Sequence, residues 1–204
     1  RYNPSGASAL TLAVGKFGSP MTRTQMVWDD DLNFEGGYEQ VAWDVSDAVD
    51  VTLLALQTAV NEVSRDEDSY MLGGYGEVGF SFGSHRLQVS VADYAFGNVD
   101  QVAVGRATGP LSSLLTNLVD RDADGNVIGL VSDFNMVDAI VQADFDTGRG
   151  DYPLRLLAEY LRNTKAASSQ DTGIWVEAEY GGSRTLRTYT LGYTYGWVQQ
   201  EASL

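Results

Sequence analysis

Several stretches of this sequence carry residue types at spacings that chemistry could use. Gly74-Tyr75-Gly76-Glu77-Val78-Gly79 has the glycine spacing by which a tight turn and a helix N-terminus hold a pyrophosphate. That chemistry needs a strand feeding a helix, whereas here an alternating pattern simply continues, so the glycines read as gaps across which neighbouring aromatic side chains pack. Gly79-Phe80-Ser81-Phe82-Gly83 has the spacing of a hydrolase nucleophile elbow, with His85 close by. No helix pattern follows this one either, and His85 reads as a rim residue at a hairpin turn. Asp120, Asp122 and Asp124, followed by Gly125, open like a calcium loop, in which alternate carboxylates converge on one hard cation. The twelfth position is Val131 instead of the closing glutamate, so the reading is a weak calcium site or a polar loop tip, and calcium is the one cofactor these residues suggest. Glu177 and Glu179 could pair as acid and base of a glycosidase, but the pattern indicates no cleft around them. Arg149-Gly150-Asp151 resembles an adhesion tripeptide and fits turn chemistry better.

Composition narrows the field. The 204 residues hold 13 Lys and Arg against 28 Asp and Glu, a formal charge of −15. Such a surface repels the phosphate backbone, so nucleic acid is not an expected partner. With no Cys and one His, thiol chemistry and the usual zinc sites are unsupported. The longest uncharged stretch, Tyr2 to Gly15, is too short and polar for a helix that crosses a membrane, which needs about 18 or more apolar residues.

The elements that must position these residues follow a period of two, the signature of pleated strands whose side chains alternate between faces. Val137, Ala139, Val141, Ala143 and Phe145 oppose Asp138, Gln142 and Asp144. Tyr152, Leu154, Leu156, Ala158 and Tyr160 oppose Arg155 and Glu159, and Ile174, Val176, Ala178 and Tyr180 oppose Glu177 and Glu179. Tyr189, Leu191, Tyr193, Tyr195 and Trp197 oppose threonines and glycines, while 50–61 alternates poorly. The pattern predicts nine strands, at 9–18, 38–46, 50–62, 70–82, 85–98, 134–147, 152–163, 172–182 and 185–199.

Their connections sort by length. Long or medium ones (19–37, 63–69, 99–133, 164–171) alternate with tight ones (47–49, 83–84, 148–151, 183–184). Transmembrane barrels keep brief turns on one rim and longer loops on the other. Strand length agrees: globular strands peak at about 5–6 residues, and tilted membrane-crossing strands need about 9–11. Between Tyr152 and Tyr160 lie eight steps of about 3.3 Å, or about 20 Å along a barrel axis at ~40° tilt, close to the height of a lipid-facing band between aromatic girdles. In the loop at 99–133, Leu111, Leu114, Leu115 and Leu118 have helical spacing after Gly109-Pro110. This loop either folds inward as a constriction or lies over the outer rim or a neighbouring subunit.

Gly15-Lys16-Phe17-Gly18-Ser19-Pro20, followed by Val27-Trp28-Asp29-Asp30-Asp31-Leu32-Asn33-Phe34-Glu35-Gly36, resembles the signature of the bacterial "putative porin" family of outer-membrane barrels. The pattern is a strand ending in Gly-Lys/Arg-Phe, a Pro, then an aromatic, an acidic run, Leu-Asn and Gly; Met21 stands where an aromatic is expected. Tyr160-Leu161-Arg162-Asn163-Thr164 is also similar. The resemblance implies a passive channel in a Gram-negative outer membrane, with further strands before Arg1. Nine strands are odd in number and too few for a water-filled pore, so 1–204 is expected to be one domain forming part of a barrel of about 16 strands. The chain ends in Glu201-Ala202-Ser203-Leu204 without the usual terminal aromatic strand, which fits the same expectation.

The fold expected is therefore all-β, an antiparallel transmembrane β-barrel of the porin type, without enzymatic activity. The polar face would line the pore with Asp44, Glu77, Asp138, Asp144, Glu159, Glu177 and Glu179 against Arg86 and Arg155. Carboxylates predominate, which predicts cation preference. The acidic cluster Asp29, Asp30, Asp31 and Glu35 would lie at the mouth or form a solvated surface run. Expected partners are outer-membrane lipid and lipopolysaccharide, small hydrophilic solutes and, by analogy with general porins, two further copies in a trimer. The alternative is a structural or adhesive barrel with a blocked lumen, whose loops bind calcium or another ligand.

Overall fold

A computed structural model describes residues 8–61, 67–108, 116–150, 152–182 and 189–204. Nine strands form one antiparallel sheet: β1 (Ser8–Gly18), β2 (Asn33–Ser46), β3 (Val49–Asn61), β4 (Ser69–Phe82), β5 (His85–Gly97), β8 (Asn135–Phe145), β9 (Leu154–Asn163), β10 (Thr172–Gly181) and β11 (Thr190–Val198). Each pairs with the next, in a meander interrupted only between β5 and β8. There the chain forms a helix, α1 (Asp100–Thr108), and a small hairpin of β6 (Val119–Arg121) and β7 (Val127–Leu130). The sheet is open: β1 and β11 lie at its two edges and are not paired with each other.

Register converts the alternation into two chemically distinct faces. Following partners across the sheet, one rung runs Leu10, Val41, Leu53, Gly76, Val91, Ala139, Tyr160, Ile174 and Trp197. The next runs Ser8, Trp43, Val51, Val78, Val89, Val141, Ala158, Val176 and Tyr195. Apart from Ser8, which pairs with Trp43 on the edge strand β1, both rungs are free of polar residues. This apolar face is the uncovered one: Leu53 is 51% exposed, Val91 50% and Tyr193 66%, while their neighbours Leu54 (5%) and Ala92 (3%) on the other face are buried. No second layer packs on it among the described residues.

Differences from the sequence reading have local causes. β2 begins at Asn33 rather than Tyr38 because Phe34 is held by Phe17 and Trp28, at ring-centroid distances of 6.1 and 5.1 Å, which extends the strand pair to Phe17↔Phe34. β3 alternates poorly because it carries apolar side chains on both faces: Leu53 stands on the uncovered one, while Leu54 and Leu56 are buried with Thr58 on the other. The segment at 99–133 holds two short strands and a helix that the alternation did not reveal. Asp100 at the start of α1 accepts a hydrogen bond from the Leu130 amide at 2.8 Å, which ties the helix to the hairpin. Gly109, Pro110, Leu111, Leu114 and Leu115 lie outside the described residues, as do Asp151 of the tripeptide, the tight turn at 183–184 and 185–188 at the start of the last predicted strand. Neither glycine-rich motif leads into a helix: β4 runs through both, and a two-residue turn returns the chain as β5.

One glycine tests the register directly. Gly36 has φ = 155°, and a Cβ there would meet the Gln57 carbonyl oxygen at 2.1 Å. Gly74, on the exposed face, has nothing within 4 Å. We expect Gly36→Ala to lower the thermal unfolding midpoint in detergent, by roughly 1–3 kcal/mol of stability, and Gly74→Ala to leave it within about 0.5 kcal/mol.

Candidate functional site: the covered face and its loop

All nine charged residues expected to line a pore lie on the face opposite the apolar one. Their rungs are Asp44, Asp50, Gly79, Gln88, Gln142, Leu157 and Glu177; then Arg86, Asp144, Arg155 and Glu179; then Glu77, Ser90, Ile140 and Glu159; then Tyr75, Ala92 and Asp138. The face divides along the strands into a polar belt near the tight turns and an apolar zone near the long connections.

In the polar belt, charge is partly paired. Arg86 donates from both terminal nitrogens to Asp50, at 2.8 and 2.9 Å, a two-pronged contact that fixes both partners. Gly79 leaves the room this pair occupies, since a Cβ there would lie 2.3 Å from Arg86 Nη2. Arg155 Nε donates to Asp144 Oδ1 at 2.8 Å, and Gln142 Nε2 donates to Asp144 Oδ2 at 2.7 Å. Gln88 donates to Glu77 at 3.1 Å, and Trp175 Nε1 to Glu177 at 2.6 Å. Both arginines are thereby matched, and Asp44, Glu77, Glu177 and Glu179 have no ion-pair partner among the described residues. Alternation did not single out Asp50, because β3 is apolar on both faces; the signal available was Arg86, a cation in a strand that needs a partner.

The apolar zone is covered by the connection between β1 and β2, residues 19–32, which lies across the face as a strap. Its Met21 and Met26 are buried. The Trp28 ring meets Tyr94 edge-on at 5.2 Å and Phe34 at 5.1 Å, and the Tyr94 hydroxyl reaches Met21 Sδ at 3.6 Å. Two threonines anchor it. Thr22 donates to Glu77 at 2.7 Å beside the Tyr75 hydroxyl, which donates to the same oxygen at 2.5 Å. Thr24 donates to Glu159 on β9, and its hydroxyl accepts the Met26 amide at 3.1 Å. At its far reach Met26 sits where a side chain on Gly173 of β10 would be, 2.8 Å from a Cβ built there.

The strap changes the setting of two expected lining residues. Asp138 and Glu159, diagonal neighbours on β8 and β9, are each 3% exposed beneath it, instead of standing free in an open passage. Asp138 Oδ1 and Glu159 Oε1 have no hydrogen-bond partner among the described residues. Burying carboxyl groups is costly unless hydrogen bonds compensate, so the hydroxyl of Thr24 matters to this pair. The threonines escaped sequence reading because a loop has no period to mark them.

The acidic cluster divides. The Asp30 carboxylate accepts from Gln25, its carbonyl accepts from Arg23, and the Asp31 carbonyl accepts from Asn33, so these two residues shape the strap. Glu35 pairs with Lys16 at 3.0 Å. Asp29 and Glu35 line a cavity of about 510 Å³ between the strap, the ends of β3 and β5, the start of β4, and α1.

In the β6–β7 turn, Asp122 accepts from the amides of Asp124 (3.0 Å) and Asn126 (2.8 Å) and from Asn126 Nδ2 (3.0 Å), while Asp120 and Asp124 remain exposed. The Asn126 hydrogen bonds hold the Asp122 carboxyl below its ordinary range. His85 stands at the tight-turn rim, where its Nδ1 accepts the Asp146 amide at 3.2 Å.

The family profile described as "Putative porin" matches residues 1–118, more than half of the chain, and the chain belongs to that family. No curated protein and no solved structure matches it.

Two outcomes follow from this geometry. Thr24→Val removes a donor to a buried carboxyl group and an acceptor within the strap. It should cost about 1–3 kcal/mol in unfolding free energy and speed limited trypsin cleavage after Arg23. A carboxyl held low by native contacts stabilises at pH values above its unfolded range and ceases to do so as pH falls through its folded value. Asp122→Ala should therefore speed amide exchange at Asp124 and Asn126 at neutral pH and change it little in strong acid.

Proposed function

We propose that this porin-family chain forms part of the wall of a transmembrane β-barrel in the bacterial outer membrane, through which ions and small hydrophilic solutes diffuse. The observation that carries the reading is the exposed apolar face. Its two apolar rungs cross the sheet, one over all nine strands and the other over eight, and water-soluble monomers rarely expose contiguous apolar patches beyond a few hundred Å². Acyl chains of lipid and lipopolysaccharide would cover such a face without loss, since backbone groups within the sheet are paired. Tyr152, with Tyr180 at 5.7 Å and Tyr189 at 5.1 Å, clusters at the tight-turn rim, where a barrel carries one aromatic girdle. Closure would come from further strands on the edges of β1 and β11, and assembly as a trimer follows from analogy with general porins.

On the opposite face, water would fill the space above the polar belt, and the 19–32 strap would narrow it from one side. With Arg86 and Arg155 neutralised by Asp50 and Asp144, the unmatched carboxylates of Asp44, Glu77, Glu177 and Glu179 would concentrate cations. Passage needs no chemical step and no cofactor.

The depth of burial under the strap favours a second reading, a barrel plugged by this segment whose loops bind a ligand or calcium. Conductance separates the two. In planar bilayers the first reading expects ohmic channels with a cation-selective reversal potential. Glu177→Gln together with Glu179→Gln should shift that potential toward the anion side, whereas absence of conductance would favour the plugged scaffold.

A further inference from the structure

The cavity of about 510 Å³ at the long-connection rim is within the size range of small-molecule sites and has a mixed lining. Its apolar wall includes Trp28, Phe34, Met71 and Phe96, drawn from the strap and from three different strands. Two charges on its lining stand apart. Glu35 is matched by Lys16, but the Asp29 carboxylate and the Arg106 guanidinium, on the last turn of α1, form no ion pair and no side-chain hydrogen bond among the described residues. An anion and a cation without a side-chain partner among the described residues thus share a single chamber with an aromatic surface.

We propose that this chamber is a binding site for a small zwitterion with an apolar body, of the class of an aromatic or large aliphatic α-amino acid. The guanidinium takes the carboxylate, for which its planar fork is suited. Asp29 takes the ammonium group, and the rings of Trp28 and Phe96 cover the side chain. A purely anionic solute leaves Asp29 unmatched, and a purely cationic one leaves Arg106 unmatched. The site deepens the porin reading by naming a solute class at the mouth of the passage, and it rests on that reading for its role though not for its existence.

The test is equilibrium binding to the folded chain in detergent, with L-phenylalanine, phenethylamine and 3-phenylpropionate as probes. L-Phenylalanine should bind saturably and about tenfold more tightly than either analogue, each of which lacks one charged partner. Asp29→Asn should weaken L-phenylalanine about tenfold and leave 3-phenylpropionate unchanged; Arg106→Gln should weaken it similarly and leave phenethylamine unchanged. Both positions are exposed, so neither substitution threatens the fold. No saturable binding, equal affinity for a singly charged analogue, or indifference to both substitutions overturns the proposal. Conductance measured in parallel keeps the two readings apart: channels without binding reject the site alone, and binding without channels supports the site while rejecting passage.

Discussion

The structure depends on strand-to-strand hydrogen bonding in register, because that pairing alone lets one face of a sheet stay apolar and uncovered. Each interior strand satisfies its amides and carbonyls through its two neighbours, so side chains decide what each face can touch. Register then aligns valine with valine and tyrosine with isoleucine across strands, and one face gains a continuous apolar band, bounded toward the long connections by a rung that holds Glu39, Asp93 and Arg162. In water this arrangement would invite association, whereas in lipid it needs no cover. The porin family membership and the physical character of this face point to the same solvent.

The other face is built by contrast. Its polar belt holds arginines in place with carboxylates on adjacent strands, and its apolar zone is closed by residues 19–32. The strap is secured in two ways: methionine and tryptophan side chains among Tyr94, Phe34 and Gly173, and hydroxyls of Thr22 and Thr24 on Glu77 and Glu159. Apolar packing positions the segment broadly, while the hydroxyls reward one placement along the sheet, since a shift by one residue would leave buried carboxyl oxygens without donors. The chamber at the rim exists because the strap ends against Phe34 and leaves space before α1.

Much of this was legible beforehand. Alternation located all nine strands of the sheet and sorted Asp44, Glu77, Arg86, Asp138, Asp144, Arg155, Glu159, Glu177 and Glu179 onto one face, because side-chain direction in a strand follows from parity. The acidic run after Trp28 and the Gly-Lys-Phe strand end carried the family resemblance. Parity could not say which residues of that face lie open. Asp138 and Glu159 are covered by a loop that returns from more than a hundred residues earlier in the sequence, as Thr24 and Glu159 show. The helix and hairpin between β5 and β8 were hidden for another reason: strands of three and four residues are too short to establish a period.

The central claim is that lipid contacts the apolar face while water contacts its opposite. The chain has no cysteine, so single cysteines along β5 can each carry one spin label in lipid vesicles without competing sites. Collision with oxygen, which concentrates in acyl chains, and with a water-soluble nickel chelate would then be compared at Arg86, Leu87, Gln88 and Val89. The account predicts that oxygen reaches Leu87 and Val89 while the chelate reaches Arg86 and Gln88, in strict alternation. Labels at Leu87 and Val89 that are immobile and shielded from both reagents would contradict it, because that face would then be packed against protein.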